Sequence, residues 1–215
     1  MKVLSTNIAT PRSILWKGRE EKTGIYKLPV EDPIYLEKED VRNDHVVDRK
    51  YHGGVDKACY LYSADHYPYW KTKYPDLEWN YGMFGENVTV KGFDEKNIKI
   101  GSIYQLGSAT IQISRPRQPC YKLGIRFGNQ AVLKQMIDSL LSGVYVRVIH
   151  PGSVTANDEL QLTKENDDGI SIAELNTLLF HYDENTHLEL AKKALSDTLV
   201  SDSDKKYFRK KIKAY

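Results

Sequence analysis

Cys120 lies within Arg115-Pro116-Arg117-Gln118-Pro119-Cys120-Tyr121-Lys122-Leu123, with three cations no more than five residues from its sulfur. Nearby positive charge favours a thiolate over a thiol, and the thiolate is the form that ligates metals and attacks electrophiles. Residues 109–114, Ala-Thr-Ile-Gln-Ile-Ser, alternate as a half-buried strand does, and Pro116 and Pro119 forbid that strand from simply continuing. Cys120 therefore stands at a strand break. The competing reading is a small buried filler, because free cysteine is among the residue types most often buried. A Cys/His hydrolase fits less well, since this cysteine is expected after a strand and not at the start of a helix.

A second stretch with chemical content is Asp48-Arg49-Lys50-Tyr51-His52-Gly53-Gly54-Val55-Asp56-Lys57-Ala58. A double glycine lets backbone amides turn toward an anion without steric penalty, and Arg49, Lys50, His52 and Lys57 bring charge to the same place. The spacing is not that of a P-loop, and a polar turn between two strands explains the same residues. The six histidines show no helix-register or Cys/His spacing of a zinc site, and only His52, beside the double glycine, stands out. Glu86 and Asn87 follow the turn Gly82-Met83-Phe84-Gly85, where they either bind a polar ligand or cap the turn. No Gly-x-Ser-x-Gly nucleophile signature is present.

The elements that must position these residues are mostly short strands. Residues 3–8, 24–30, 34–36, 58–62, 84–90, 98–106, 109–114, 144–149 and 158–162 read as strands, with a hairpin about Gly107-Ser108, and this rhythm indicates a barrel or sandwich. Tyr67, Trp70 and Tyr74 recur at helical spacing, with Pro68 arguing for a start one turn later. Residues 129–141 form an amphipathic pattern capped by Asn129 and stopped at Gly143. Beyond Glu165 the composition shifts to helix formers, with a capping box at Ser171 to Glu174, and three helices are expected. The expected division is a mainly β barrel domain with some α structure over residues 1–165 and a small three-helix domain over 166–215.

The formal charge of +2 on 215 residues excludes nucleic-acid binding by bulk charge. Cys59 and Cys120 are the only cysteines, which fits a reducing compartment. The first residues lack the apolar core of a signal peptide, and no apolar run approaches membrane-spanning length. A cytoplasmic protein with neither a membrane nor a nucleic-acid polymer as partner is expected.

In order along the chain, these stretches resemble the MOSC family, named for the C-terminal domain of molybdenum cofactor sulfurase, and in particular its bacterial YiiM-like branch. The resemblance rests on Thr23-Gly24-Ile25-Tyr26-Lys27, His52-Gly53-Gly54-Val55-Asp56-Lys57-Ala58, Asp65-His66-Tyr67 with Trp70, and Phe84-Gly85-Glu86-Asn87. It continues through Pro116-Arg117-Gln118-Pro119-Cys120-Tyr121-Lys122-Leu123 and Gly143-Val144-Tyr145 to Arg147-Val148. It implies a pyruvate-kinase-barrel-like strand arrangement with a C-terminal three-helix extension. It also implies a molybdenum cofactor whose metal is held by Cys120, a soft ligand for a soft, oxo-bearing centre. Lys27, Arg49, His52, Gly53, Gly54 and Lys57 become candidates for its phosphate, Asn87 for a further cofactor contact, and Arg117 and Lys122 for charge near the metal.

The branch is similar to enzymes that reduce N-hydroxylated compounds such as N-hydroxylaminopurines and amidoximes. With no flavin or nicotinamide fingerprint in the chain, an electron-donating flavin or iron–sulfur reductase is implied as partner. Cys59-Tyr60 departs from the more usual aliphatic and histidine residues after the Asp-Lys-Ala motif, which bears on substrate preference. The alternatives are a non-catalytic carrier of the cofactor, a sulfur carrier using a Cys120 persulfide, and a binding module for another phosphate ligand.

Overall fold

The computed structural model describes residues 1–47 and 53–213. Its main sheet is built from β1 (Lys2–Ala9), β4 (Lys27–Val30), β6 (Cys59–Ser63), β7 (Val88–Lys91), β8 (Ile103–Leu106), β9 (Ala109–Pro116), β10 (Val144–His150) and β12 (Leu160–Lys164). The strand order is β12-β8-β9-β10-β6-β7-β1-β4, antiparallel except for β6 against β7. Backbone bonds from Val3 N to Asp158 O (2.8 Å), Asn157 N to Val3 O (2.9 Å) and Leu160 N to Met1 O (2.9 Å) join the start of β1 to the approach to β12. These bonds close the sheet on itself, as a barrel requires to remove its free edges. β5 (Ile34–Leu36) pairs with β11 (Gly152–Val154) at one side.

The hairpin expected about Gly107-Ser108 is present as β8 and β9. Its first strand is shorter than the periodicity indicated, because Ile98 and Ile100 bond instead to the approach to the C-terminal helices, with Ile100 N to Ile170 O and Ile172 N to Ile98 O both at 2.9 Å, while Gly101 and Ser102 still bond to Ile113 of β9. The strand 24–30 likewise shortens to Lys27–Val30. A second hairpin, β2 (Arg12–Trp16) with β3 (Arg19–Thr23), was not legible as strands because its residues are largely polar and it leaves the barrel wall. Its two-residue loop, Lys17 and Gly18, has positive φ at both positions (49° and 76°), the geometry that matches the twist of a tight hairpin.

β6 is buried on both faces. Cys59 and Leu61 enter the barrel core, while Tyr60 and Tyr62 join a second, aromatic cluster with Tyr67, Trp70, Phe84, Leu123 and Phe127. That cluster is covered by α1 (Tyr67–Lys73), α2 (Tyr121–Arg126) and α3 (Ala131–Ser139). Pro68 does not delay α1: it occupies the first turn, where its missing amide hydrogen has no helical acceptor to lose. α3 is shorter than the 129–141 pattern and ends in a left-handed Leu140 (φ 59°), three residues before Gly143. Asn129 accepts from Ala131 N at 2.9 Å.

The three C-terminal helices are α4 (Ile172–Phe180), α5 (Glu184–Ser196) and α6 (Asp202–Lys213). Both bonds of the Ser171/Glu174 capping box are formed. Ile172, Leu175, Leu178, Leu179, Ala191, Ala194 and Phe208 share one buried cluster with Ile100, Ile111, Ile113, Val146 and Val148 of the barrel. That shared burial supplies the stability a fifty-residue helical unit would lack alone. No helix among the described residues is long and apolar enough to cross a membrane.

Candidate functional site

β9 delivers the cysteine. Its pairing runs on to Pro116 opposite Val144, so the first proline ends the strand rather than preventing its last residues from pairing. Cys120, extended at φ −119° and ψ 163°, is then the N-cap of α2, with its carbonyl accepting from Leu123 N at 2.9 Å. The expectation that this cysteine does not open a helix is thus corrected. Six residues containing Gly124 leave too weak a helical signal to read. The Cys120 thiol makes no capping bond and is half-buried.

The thiol borders a pocket of about 630 Å³ of empty space, a figure that includes its open mouth. Lys27, Lys57, Asn87, Arg117 and Lys122, all nominated from sequence, border the same pocket. Gly53 and Gly54 do not, although Gly54 does need to be glycine for its φ of 96°. Arg49 and His52 lie outside the described residues. Cys59 and Cys120 are not bridged. Burial pushes the Cys59 thiol far up, so it stays a protonated core residue.

Arg117 is the most constrained cation. It is 4% exposed, its guanidinium carbon lies 5.0 Å from the Tyr60 ring centroid, and its Nη1 donates to the Phe84 carbonyl. Burial works against its charge, but Tyr60, Tyr145 and Cys120 outweigh burial and raise its pKa. Burial raises the pKa of Tyr60 and Tyr145, against the lowering pull of Arg117. Arg117 Nε is buried with no hydrogen-bond partner, a state that costs about 1–3 kcal/mol and that an anionic ligand reaching it would relieve.

The other cations divide into two kinds. Lys27 is paired with Asp44, whose Oδ2 also accepts from Asn87 Nδ2 at 2.9 Å, while Asn87 Oδ1 accepts from Tyr60 N at 3.3 Å. Lys27 and Asn87 therefore hold the wall together, and the charge of Lys27 is already neutralised. Lys122 donates to Lys22 O at 3.2 Å and lies beside the thiol in sequence. Lys57, in the short 3-10 turn Val55–Lys57, has its pKa lowered by burial and then by Arg115, against the opposing pull of Asp204 and Asp56. Anion binding in the pocket is accordingly expected to weaken with rising pH before the ordinary lysine value of 10.5 is reached. Lys57→Arg should move that alkaline limb to higher pH, read by calorimetric titration of pyrophosphate from pH about 7 to 10. An unmoved limb would remove Lys57 from the binding set.

Glu86 caps its turn. Its carboxylate, fully buried, accepts from Tyr67 Oη (2.5 Å), Gly82 N (2.8 Å), Phe84 N (3.0 Å) and Thr89 Oγ1 (2.9 Å). That turn aims the Phe84 carbonyl at Arg117. Sequence reasoning missed His45, which borders the pocket with its Nδ1 3.2 Å from the Ala9 carbonyl. Its one trace in the sequence is Gly24, where a Cβ would lie 1.9 Å from the His45 carbonyl oxygen.

A sequence profile of the MOSC domain matches residues 48–161. The chain belongs to the MOSC domain family. It is 35% identical over 209 residues to YflK of Bacillus subtilis (strain 168), spanning 97% of this chain and 93% of that protein. The crystal structure of YiiM from Geobacillus stearothermophilus matches with a TM-score of 0.81 at 30% identity, covering 98% of both chains. A Gibberella moniliformis protein named reductase is 34% identical over 149 residues, which is 67% of this chain but 26% of that protein. The MOSC profile takes in Lys57, Asn87, Arg117, Cys120 and Lys122 and leaves out Lys27 and α4 to α6. The YiiM structure covers those as well, so the helical tail is part of the YiiM-like form of this MOSC fold.

Proposed function

We propose that this MOSC protein is a molybdenum-cofactor-dependent reductase of N-hydroxylated compounds, supplied with electrons by a separate reductase. The observation that carries the reading is the half-buried Cys120 thiol bordering one pocket with Arg117, Lys57 and Lys122. A soft thiol among cations, with a buried Arg117 Nε still lacking an acceptor, fits an anionic cofactor that brings its own oxo-metal and phosphate groups. Cys120 would hold the metal, and Lys57, Arg117 and Lys122 the anionic groups. When bound, the cofactor supplies two-electron reduction of an N–O bond. The name of the fungal relative is in keeping with that chemistry.

The chain's own residues would do the rest. Ile25, Val46, Val47, Tyr60 and Tyr145 offer an apolar and aromatic wall to a flat base. Converting R–NH–OH to R–NH2 consumes two electrons and two protons and releases water. His45, with Nδ1–H directed at the Ala9 carbonyl, keeps Nε2 for carrying a proton. The test is metal and pterin analysis of protein purified from a host that makes the cofactor, with dithionite-driven reduction of 6-N-hydroxylaminopurine. Molybdenum and pterin near one per chain with turnover are expected. Absence of both groups, or their presence without turnover, would overturn the reading.

A further inference from the structure

α6 carries a charge pattern that neither the fold nor the pocket uses. Residues 205–215 contain six cations and no acid, in a chain whose net charge is only +2. Lys206, Arg209 and Lys210 stand at i, i+3 and i+4, so they share one stripe of the helix. All three are exposed, and among the described residues none is in an ion pair. The neighbouring α5 mixes both signs of exposed charge along its length, with Lys192 paired to Glu189 at 2.7 Å, whereas α6 has its acids, the exposed Asp202 and the buried Asp204, only in its first turn. Like charges at such spacing destabilise a helix, so the stripe has no structural return.

The start of α6 is tied to the strand that leads to Cys120. Asp204, at the start of α6, accepts from Arg115 Nη2 at 2.6 Å, and Ser203 Oγ accepts from Arg115 Nη1 at 3.1 Å. Arg115 is on the strand that leads to Cys120, and Asp204 acts electrostatically on Lys57 of the pocket wall. At 1.5 Å of rise per residue, Lys206 to Lys210 lie about 3–9 Å along the helix from Asp204. We infer that the Lys206/Arg209/Lys210 stripe of α6 is the docking surface for an acidic protein electron carrier. The inference rests on the reductase reading, which requires a protein donor near this pocket. Docking only brings the donor; the electron and proton balance is that of the N–O reduction above. A membrane fits less well, because Phe208 is buried and Ile212 packs on the core, which uses up the apolar side of α6.

The experiment compares the cofactor-loaded protein with its K206E/R209E/K210E and K206Q/R209Q/K210Q variants, using flavodoxin as the acidic probe. Wild type should bind flavodoxin with an affinity that falls with salt. The charge-reversed variant should lose at least about tenfold of it, and the neutral variant less. Dithionite-driven turnover should be the same in all three, while flavodoxin-driven turnover falls with binding. Equal flavodoxin binding by all three proteins, or none by any, overturns the inference while dithionite turnover leaves the reductase reading intact. Loss of dithionite turnover in wild type removes the reductase reading, and the binding titration then still reports on the stripe. Stripe-dependent binding to phosphatidylserine vesicles or duplex DNA that is tighter than to flavodoxin overturns the partner assignment.

Discussion

Cys120→Ser should lower the molybdenum content of the purified protein at least about a hundredfold, more than the loss of an outer contact typically costs a metal site. Serine keeps the size of the side chain but offers a hard oxygen that stays protonated at neutral pH, where the metal wants a soft thiolate. The fold has little reason to respond. The thiol is half-buried and makes no capping bond to α2, so unfolding free energy should change by no more than about 0.5 kcal/mol. Metal analysis alongside a urea melt reads both quantities. Full molybdenum content in a stable Cys120→Ser protein would take away the basis of the proposed activity, because no other described thiol borders the pocket.

Asp204→Ala should cost about 3–5 kcal/mol of stability, because it strands Arg115 as a buried cation. The two side chains are 2% and 8% exposed at 2.6 Å, and Asp204 Oδ2 also accepts from Ser201 Oγ at 2.7 Å. Replacing both partners with apolar residues, Arg115→Met with Asp204→Leu, should recover most of the loss, since neither desolvated charge is then left alone. Urea denaturation of wild type, Arg115→Met, Asp204→Leu and the double variant gives the coupling directly. The pair has a pH signature as well. Burial raises the Asp204 carboxyl above its ordinary value of 3.8 despite Arg115, so ionising it costs the folded state more than the unfolded chain, and stability falls as pH rises from that value through the raised pKa. Asp204→Asn should flatten that slope, and an unchanged slope would mean that another group produces it.

What could be read along the chain was whatever a local period or a local motif encodes. The alternation of residues 109–114, the apolar face of α4 with its Ser171 cap, and the inward face of Tyr67 and Trp70 all reflect side-chain spacing within one element. The hairpin Arg12–Trp16 with Arg19–Thr23 escaped that reading because it is polar and largely exposed, so no buried face imprints a period on it. α2 escaped because it is one and a half turns long and contains a glycine.

The candidate site shows the same division. The residue types beside Cys120 and the run ending in Lys57 were enough to indicate a thiol among cations, and the motif order was enough to indicate the family. Which cations remain for a ligand was decided in three dimensions. Lys27 is cancelled by Asp44, seventeen positions away, and Asn87 is tied to the same carboxylate. His45 reaches the pocket because its carbonyl closes on Gly24. The tail was legible as three helices, but its attachment to the Cys120 strand depends on Asp204 meeting Arg115 across 89 positions. Neighbouring residues share a backbone geometry that their sequence sets, so elements and motifs can be read from it. Burial and charge pairing depend on distances between remote segments, and those exist only once the barrel has closed and the helices have packed on it.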